Sequence, residues 1–242
     1  MIYKVHTNLR DNSIIPFNYK SNLNSWIYES IKKFNAETFH TFHDNKLFIG
    51  GRPFKPFVFS NLFFKNREIF KNYGYLVQGE GTWYFSSCNK TIEDAFLEGL
   101  KDNIKIGNLL ISVKKVEKIN ILKKDSDIFK TLSPVVVSIK EGKLRKQLEP
   151  IDKTYIDRIK TNIIKKYEYL HKESISPNDF DIKIISYNPD GVLENYKDMP
   201  IKAYDCMFKV NGDDKLKETI CTLGIGVFNC MGFGFVLPYK MS

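Results

Sequence analysis

The chain has 242 residues, 43% of them hydrophobic and 14% aromatic, enough apolar material for one large core or two of roughly 100–120 residues, and too much for a disordered chain. Lys and Arg outnumber Asp and Glu by 37 to 28, and a net charge of +9 fits either a polyanionic partner or a lysine-rich proteome. Four scattered cysteines with no C-x-x-C pair argue against a zinc ribbon, and no run approaches the ~18 apolar residues of a membrane span; with no signal-peptide core, a reduced cytoplasm is expected.

Ile2 to Leu9 alternate and are β-rich, which predicts a strand. Leu23 to Phe42 place Ile27, Ile31, Phe34 and Phe42 at broadly helical spacing, with Asn22 or Asn24 as the N-cap. PFVFSNLFF and GYLVQGEGTWYFSSC, rich in aromatics and Val, are two further strands. A helix follows from Thr91, and NLLISVKKVEKI is the next strand. The order β-α-β-β-α-β is the ferredoxin-like unit shared with RNA-recognition folds. The pattern then repeats: VVVSIK as a strand, Asp152 to His171 as a helix, DFDIKIISYNP and KAYDCMFKVNG as strands, Lys215 to Leu223 as a short helix, and GFGFVLPYK as the closing strand. The expected fold class is α+β, two tandem ferredoxin-like domains over residues 1–122 and 128–242, with the polar joint Lys123–Asp127 between them. The first 120 residues hold 17 basic and 11 acidic residues, so the first domain carries most of the excess charge.

Two segments carry candidate chemistry. The first is GIGVFNCMGFG, Gly224 to Gly234, with two Gly-x-Gly pairs five residues apart. A dinucleotide fingerprint needs a third glycine where Asn229 stands, and then a helix and strand for which the eight residues after Gly234 leave no room. A helix C-cap running into a tight turn is one remaining reading. The other is a loop whose N–H groups point at a phosphate, with Gly224, Gly226, Asn229, Gly232 and Gly234 as the contacts. The second segment is FHTFHD, where His40 and His43 share one helix face. Asp44 is adjacent, but no second ligand cluster accompanies it, so no metal site is expected.

The glycine pattern near the C-terminus, together with IIPFNY, LNSWIYESI, FHDN, FKPFVFSNLFFKNRE, YFSSC and LSPVVVSI in that order, resembles the CRISPR-associated repeat-processing endoribonucleases. These belong to the repeat-associated RNA-binding proteins with paired ferredoxin-like folds. The resemblance implies cleavage of precursor CRISPR RNA within repeats by attack of the RNA's own 2′-OH. That reaction needs no metal or cofactor and leaves 2′,3′-cyclic phosphate and 5′-OH ends. By the same resemblance Tyr28, His43 and Lys55 form the catalytic trio; His40, close by in sequence, is expected to orient the substrate or assist His43. Repeat RNA is the implied partner of a monomer or homodimer that can join a multi-subunit effector complex. In general terms the reaction needs a base, an acid and positive charge on the transition state. Which of His43 and Tyr28 is acid and which base stays open, and Tyr28 and Lys55 also admit readings as a core tyrosine and a strand-end lysine. Tyr28 and His43 are 15 residues apart, so a straight helix would separate them by about 22 Å. A shared site therefore requires a break near Asn35 and Ala36. Lys46, Arg52, Lys65 and Arg67, interleaved with phenylalanines, are expected to hold RNA phosphates. One departure from the family pattern is that VFNCM, between the glycine pairs, carries no charge. The alternative function is a non-catalytic repeat-RNA-binding subunit of an effector complex.

Overall fold

The computed structural model describes residues 1–44, 47–120, 126–142 and 144–240. The expected RNA contact Lys46, the boundary residue Leu122 and Lys123–Asp125 of the joint lie outside the described residues.

The first half runs β1 (Ile2–Pro16), α1 (Tyr19–Phe34), α2 (Ala36–His43), a small hairpin of β2 (Phe48–Ile49) and β3 (Arg52–Pro53), β4 (Phe57–Phe59), β5 (Phe63–Phe70), β6 (Gly74–Ser87), α3 (Lys90–Gly99), β7 (Ile104–Ile106) and β8 (Leu109–Ile119). Its sheet has the order β4-β6-β1-β8-β7, with β5 also paired to β6. Taking β1, β4, β6 and β8 as the four strands of a βαββαβ unit, the spatial order is 4-1-3-2, all antiparallel, which is ferredoxin-like.

The second half runs β9 (Ile128–Thr131), β10 (Val137–Glu141), β11 (Leu144–Leu148), α4 (Tyr155–His171), β12 (Asp181–Tyr187), β13 (Val192–Tyr196), β14 (Met199–Ala203), β15 (Cys206–Asn211), α5 (Asp214–Leu223), a 3₁₀ turn (Asn229–Met231) and β16 (Val236–Pro238). Its sheet, β12-β15-β9-β16, repeats the same order. The protein is thus a tandem ferredoxin-like α+β molecule.

Each crossover helix presents one apolar stripe to its sheet, as the helical period requires. In α1 the buried residues include Leu23, Trp26, Ile27 and Ile31; in α4 they are Tyr155, Ile159, Ile163, Tyr167 and, on the same stripe, Lys166. Phe85 of β6 stacks on Phe96 of α3 with ring centroids 3.8 Å apart, fixing α3 to the first sheet.

Two expectations are corrected. VVVSIK is not the first strand of the second sheet: Val137–Glu141 pairs with Leu144–Leu148 as a separate hairpin, and the sheet position belongs to β9. The helix expected over residues 23–42 is two helices. Asn35 adopts extended φ/ψ of −153° and 102°, and its side-chain oxygen accepts from the Thr38 N–H, capping α2.

The domains are tied by polar contacts that burial makes costly to break. The Lys20 ammonium of α1, only 2% exposed, meets Glu194 of β13 at 2.6 Å and lies over the Phe233 ring. Neither charge can be removed singly without stranding the other in a desolvated place. Beside it, Asn24 donates to the Tyr196 hydroxyl at 2.6 Å. The β13–β14 hairpin thereby acts as a strap from the second domain onto α1.

Candidate functional site

The break at Asn35 folds α2 back so that His43 reaches Tyr28. The imidazole stacks on Phe39 at 4.8 Å and meets the Tyr28 ring edge-on at 6.3 Å. From the segment between β3 and β4, the Lys55 ammonium lies over the Tyr28 ring, 5.2 Å from its centroid. The three residues are therefore neighbours, although 27 positions separate the first from the last. Phe57, fully buried at the start of β4, backs the Tyr28 ring at 5.8 Å.

Each group is in a different electrostatic state. His43 is 61% exposed, and its Nδ1 is 3.2 Å from Asp44 Oδ1, which leaves Nε2 as the ring nitrogen free to act. The same carboxylate lies 3.5 Å from His40 Nδ1 through its other oxygen, so Asp44 sits between both imidazoles. His40 itself contacts Phe39 and is 59% exposed. The Tyr28 hydroxyl is buried with no hydrogen-bond partner among the described residues, and burial holds its pKa far above the usual phenol value. Tyr28 is thus a protonated donor waiting for an acceptor, and the ammonium of Lys55 beside it adds positive charge.

Tyr28 and Lys55 also line a cleft of about 640 Å³ between the domains. The first domain contributes Arg52 and Lys55 to its walls, and the second contributes Lys140, Arg145, Arg158, Lys165 and Lys166. Among the described residues no Asp or Glu lines it. Walls of a single sign around an enclosed space focus the field on an anion. The basic residues expected to act together are divided: Arg52 is in the cleft, whereas Lys65 and Arg67 are on β5. There Lys65 pairs with Glu80 at 3.0 Å, and the Arg67 guanidinium lies over Tyr75 at 3.5 Å.

The glycine loop is turned largely inward. Gly224, Gly226, Gly232 and Gly234 all have φ between 70° and 87°, but protein approaches them. A Cβ on Gly234 would lie 1.9 Å from the Ile225 carbonyl, and one on Gly226 would lie 2.4 Å from that of Val136. The N–H groups of Ile225, Val227, Met231, Gly232 and Gly234 donate to backbone carbonyls, so none of these five is aimed at an external phosphate. Asn229 is 7% exposed, and its amide donates to the Ile225 and Phe233 carbonyls. That side-chain amide has no donor left for RNA. The loop instead encloses a cation: Lys166 Nζ of α4 donates to Gly224 O at 2.8 Å, Gly226 O at 3.1 Å and Asn229 Oδ1 at 2.7 Å. Burial pulls this ammonium down to about 7, with no carboxylate beside it among the described residues. The charge missing from VFNCM is thus supplied from beneath by α4. The turn within the loop packs on α1 and β4, and Cys230 joins the first domain's core beside Tyr28, so the loop forms part of the wall of the candidate site.

Two family models cover nearly the whole chain: residues 14–117 match the N-terminal part of the CRISPR-associated protein Cas6, and residues 114–237 its C-terminal part. The chain belongs to the Cas6 family. A CRISPR-associated endoribonuclease Cas6 of Methanocaldococcus jannaschii is 29% identical over 232 residues, covering 93% of this chain and 87% of that one. A solved Cas6-related protein from Pyrococcus furiosus superposes with a TM-score of 0.83 at 26% identity, covering 100% of this chain and 99% of the other. A solved repeat-associated protein, described as binding different RNA substrates, superposes at 0.82 with 25% identity over 99% of this chain and 100% of its own.

In this Cas6 chain, sequence reasoning missed Lys166 and the second domain's share of the cleft. The signal for Lys166 was its place on the apolar stripe of α4, where a solvated lysine does not belong. The cleft wall left no such local trace, because Arg145 and Arg158 face Arg52 only once the domains are joined.

Proposed function

We propose that the protein is a CRISPR-associated endoribonuclease that cuts precursor CRISPR RNA within its repeats. The observation that carries this reading is the meeting of Tyr28, His43 and Lys55 at the edge of a cleft lined, among the described residues, by seven basic and no acidic side chains. RNA lies along the cleft, its phosphates drawn by Arg52, Lys165 and their neighbours. The scissile phosphate sits between His43 Nε2 and the Tyr28 hydroxyl. One of the two groups takes the 2′-OH proton as this oxygen attacks phosphorus. The bond to the departing 5′ oxygen breaks, and that oxygen receives a proton from the other group. Lys55 opposes the charge that grows on the phosphoryl oxygens. The products are a 2′,3′-cyclic phosphate and a 5′-OH, and no step calls for a metal. Because burial keeps Tyr28 protonated, the phenol serves best as hydrogen-bond donor and acid, which gives His43 the base role. The product RNA stays bound and passes with the protein into a larger effector assembly.

The test is incubation of the protein with its locus's repeat RNA in EDTA, with the ends of the products mapped. Cutting that survives chelation and yields cyclic phosphate ends supports the reading. Tight binding without a cut would instead identify an RNA-binding subunit.

Replacing Tyr28 by Phe should slow single-turnover cleavage about 10- to 100-fold while leaving the melting temperature unchanged or slightly higher. The hydroxyl has no partner to lose, and removing an unsatisfied buried polar group relieves a cost of about 1 kcal/mol. A melting temperature that falls by many degrees, with cleavage retained, would make Tyr28 a core residue.

A further inference from the structure

Phe228, in the uncharged stretch between the glycine pairs, has φ 63° and ψ 27°. A bulky aromatic side chain is a poor occupant of the left-handed region, where Asn and Gly are the usual residues. Such strain persists where the surroundings hold it, and it clusters at ligand sites. The chain holds it here from both sides. The Val227 N–H donates to Val136 O at 2.9 Å, and the Phe228 carbonyl accepts from the Met231 N–H at 2.8 Å. The result is a half-buried ring that lines the cleft and packs against the cluster that contains Val136, Tyr196 and Phe233. Over it stands the Arg145 guanidinium, 5.2 Å from the ring centroid, brought by the β10–β11 hairpin.

We infer that Phe228 and Arg145 form a stacking shelf for one unpaired RNA base, whose phosphates are taken by the cations of the cleft walls. An aromatic face with a guanidinium on it suits a flat π system, and walls that carry only positive charge suit a phosphodiester chain. A single-stranded nucleotide combines the two, whereas a base within a duplex cannot reach such a shelf. Phe228 and Arg145 line the cleft from the second domain, so the shelf is a capture site that positions RNA there. The inference rests on the RNA-processing reading above.

The experiment compares full-length wild-type protein with Phe228→Asn, which keeps a residue suited to the left-handed backbone, and with Arg145→Ala. Binding of the locus's repeat RNA is followed by fluorescence anisotropy over a range of salt, alongside cleavage at saturating RNA. Phe228→Asn should weaken binding roughly 5- to 100-fold with an unchanged salt slope and unchanged saturated cleavage rate. Arg145→Ala should also weaken binding, but with the slope of log K against log salt reduced by about 0.7 to 1. In the wild-type protein, RNA carrying 4-thiouridine should cross-link to the peptide spanning residues 227–231, a readout that holds even if a variant fails to fold. A Phe228→Asn protein that binds as tightly as wild type, or cross-links confined to other peptides, overturns the shelf while wild-type binding and cutting leave the parent reading intact. Wild-type protein that neither binds nor cuts repeat RNA overturns both.

Discussion

Replacing His43 by alanine is expected to slow cleavage of repeat RNA by about 10²- to 10⁴-fold, the usual contribution of a positioned acid or base. Affinity and stability should barely change. The imidazole is 61% exposed, it pairs with the neighbouring Asp44, and its ring contacts are the stack on Phe39 and the edge of Tyr28. Substitutions at such surface positions typically move stability by less than about 0.5 kcal/mol. Single-turnover cleavage in EDTA, anisotropy binding and a melting curve on the same preparation separate the three quantities. A variant that cuts at the wild-type rate would remove His43 from the mechanism. A matched loss of binding would recast it as an RNA contact.

The second large effect concerns Lys166. Its ammonium satisfies three acceptors of the glycine loop, so Lys166→Met leaves the carbonyls of Gly224 and Gly226 and the Asn229 side-chain oxygen short of a donor. At roughly 1–3 kcal/mol for each stranded buried acceptor, partly offset by no longer desolvating a cation, the net loss is about 3 kcal/mol. The pH dependence gives an independent reading. In the folded protein burial lowers this lysine to about 7, whereas in the unfolded chain it titrates near 10.4. Between those values the unfolded chain holds the extra proton, so stability rises with pH. The window runs from about pH 7 to about pH 8, over which the lysine contributes a gain of about 1 kcal/mol and thiol ionisation in the unfolded chain offsets less than half of it. Above it the trend reverses. Cys88 and Cys230 are pushed up to about 11 and Cys206 to about 12, so these thiols stay protonated when folded but ionise when unfolded. Urea unfolding at the two ends of the window should therefore show the rise in wild type and its absence in Lys166→Met. A flat wild-type profile would mean that the three acceptors keep the ammonium charged throughout.

Much of this was legible in the sequence because it rests on local rules. Apolar periodicity and Gly/Asn punctuation exposed two βαββαβ units, and the need to bring Tyr28 to His43 placed a break where Asn35 is suited to cap a helix. What escaped depends on distant partners. Strand β9 has four residues, and its neighbours β15 and β16 lie more than 70 positions away, so nothing local separates it from a linker; VVVSIK, longer and more apolar, drew the assignment instead. The β13–β14 hairpin turns on Lys197 and Asp198, at φ 47° and 64°, in place of the Asn-Gly pair that usually advertises such a turn. For the loop from Gly224 to Gly234, the sequence announced a close approach but not its direction. The carbonyls turned inward to a lysine 58 residues before Gly224, and only the three-dimensional structure shows it.

The chain turns at Asn35, and α2 then rests on the domain with Phe42 as its buried residue. The imidazole is thus carried at the end of a short helix that gives the first core only Phe42 and part of Phe39, and does not itself belong to that core. Natural selection can therefore act on cutting and on RNA capture separately. A lineage that loses its histidine keeps both domains, the cleft and the enclosed lysine, and is left with an RNA-holding protein at almost no cost in stability. The reverse step, arming a silent binder, needs changes within eight residues.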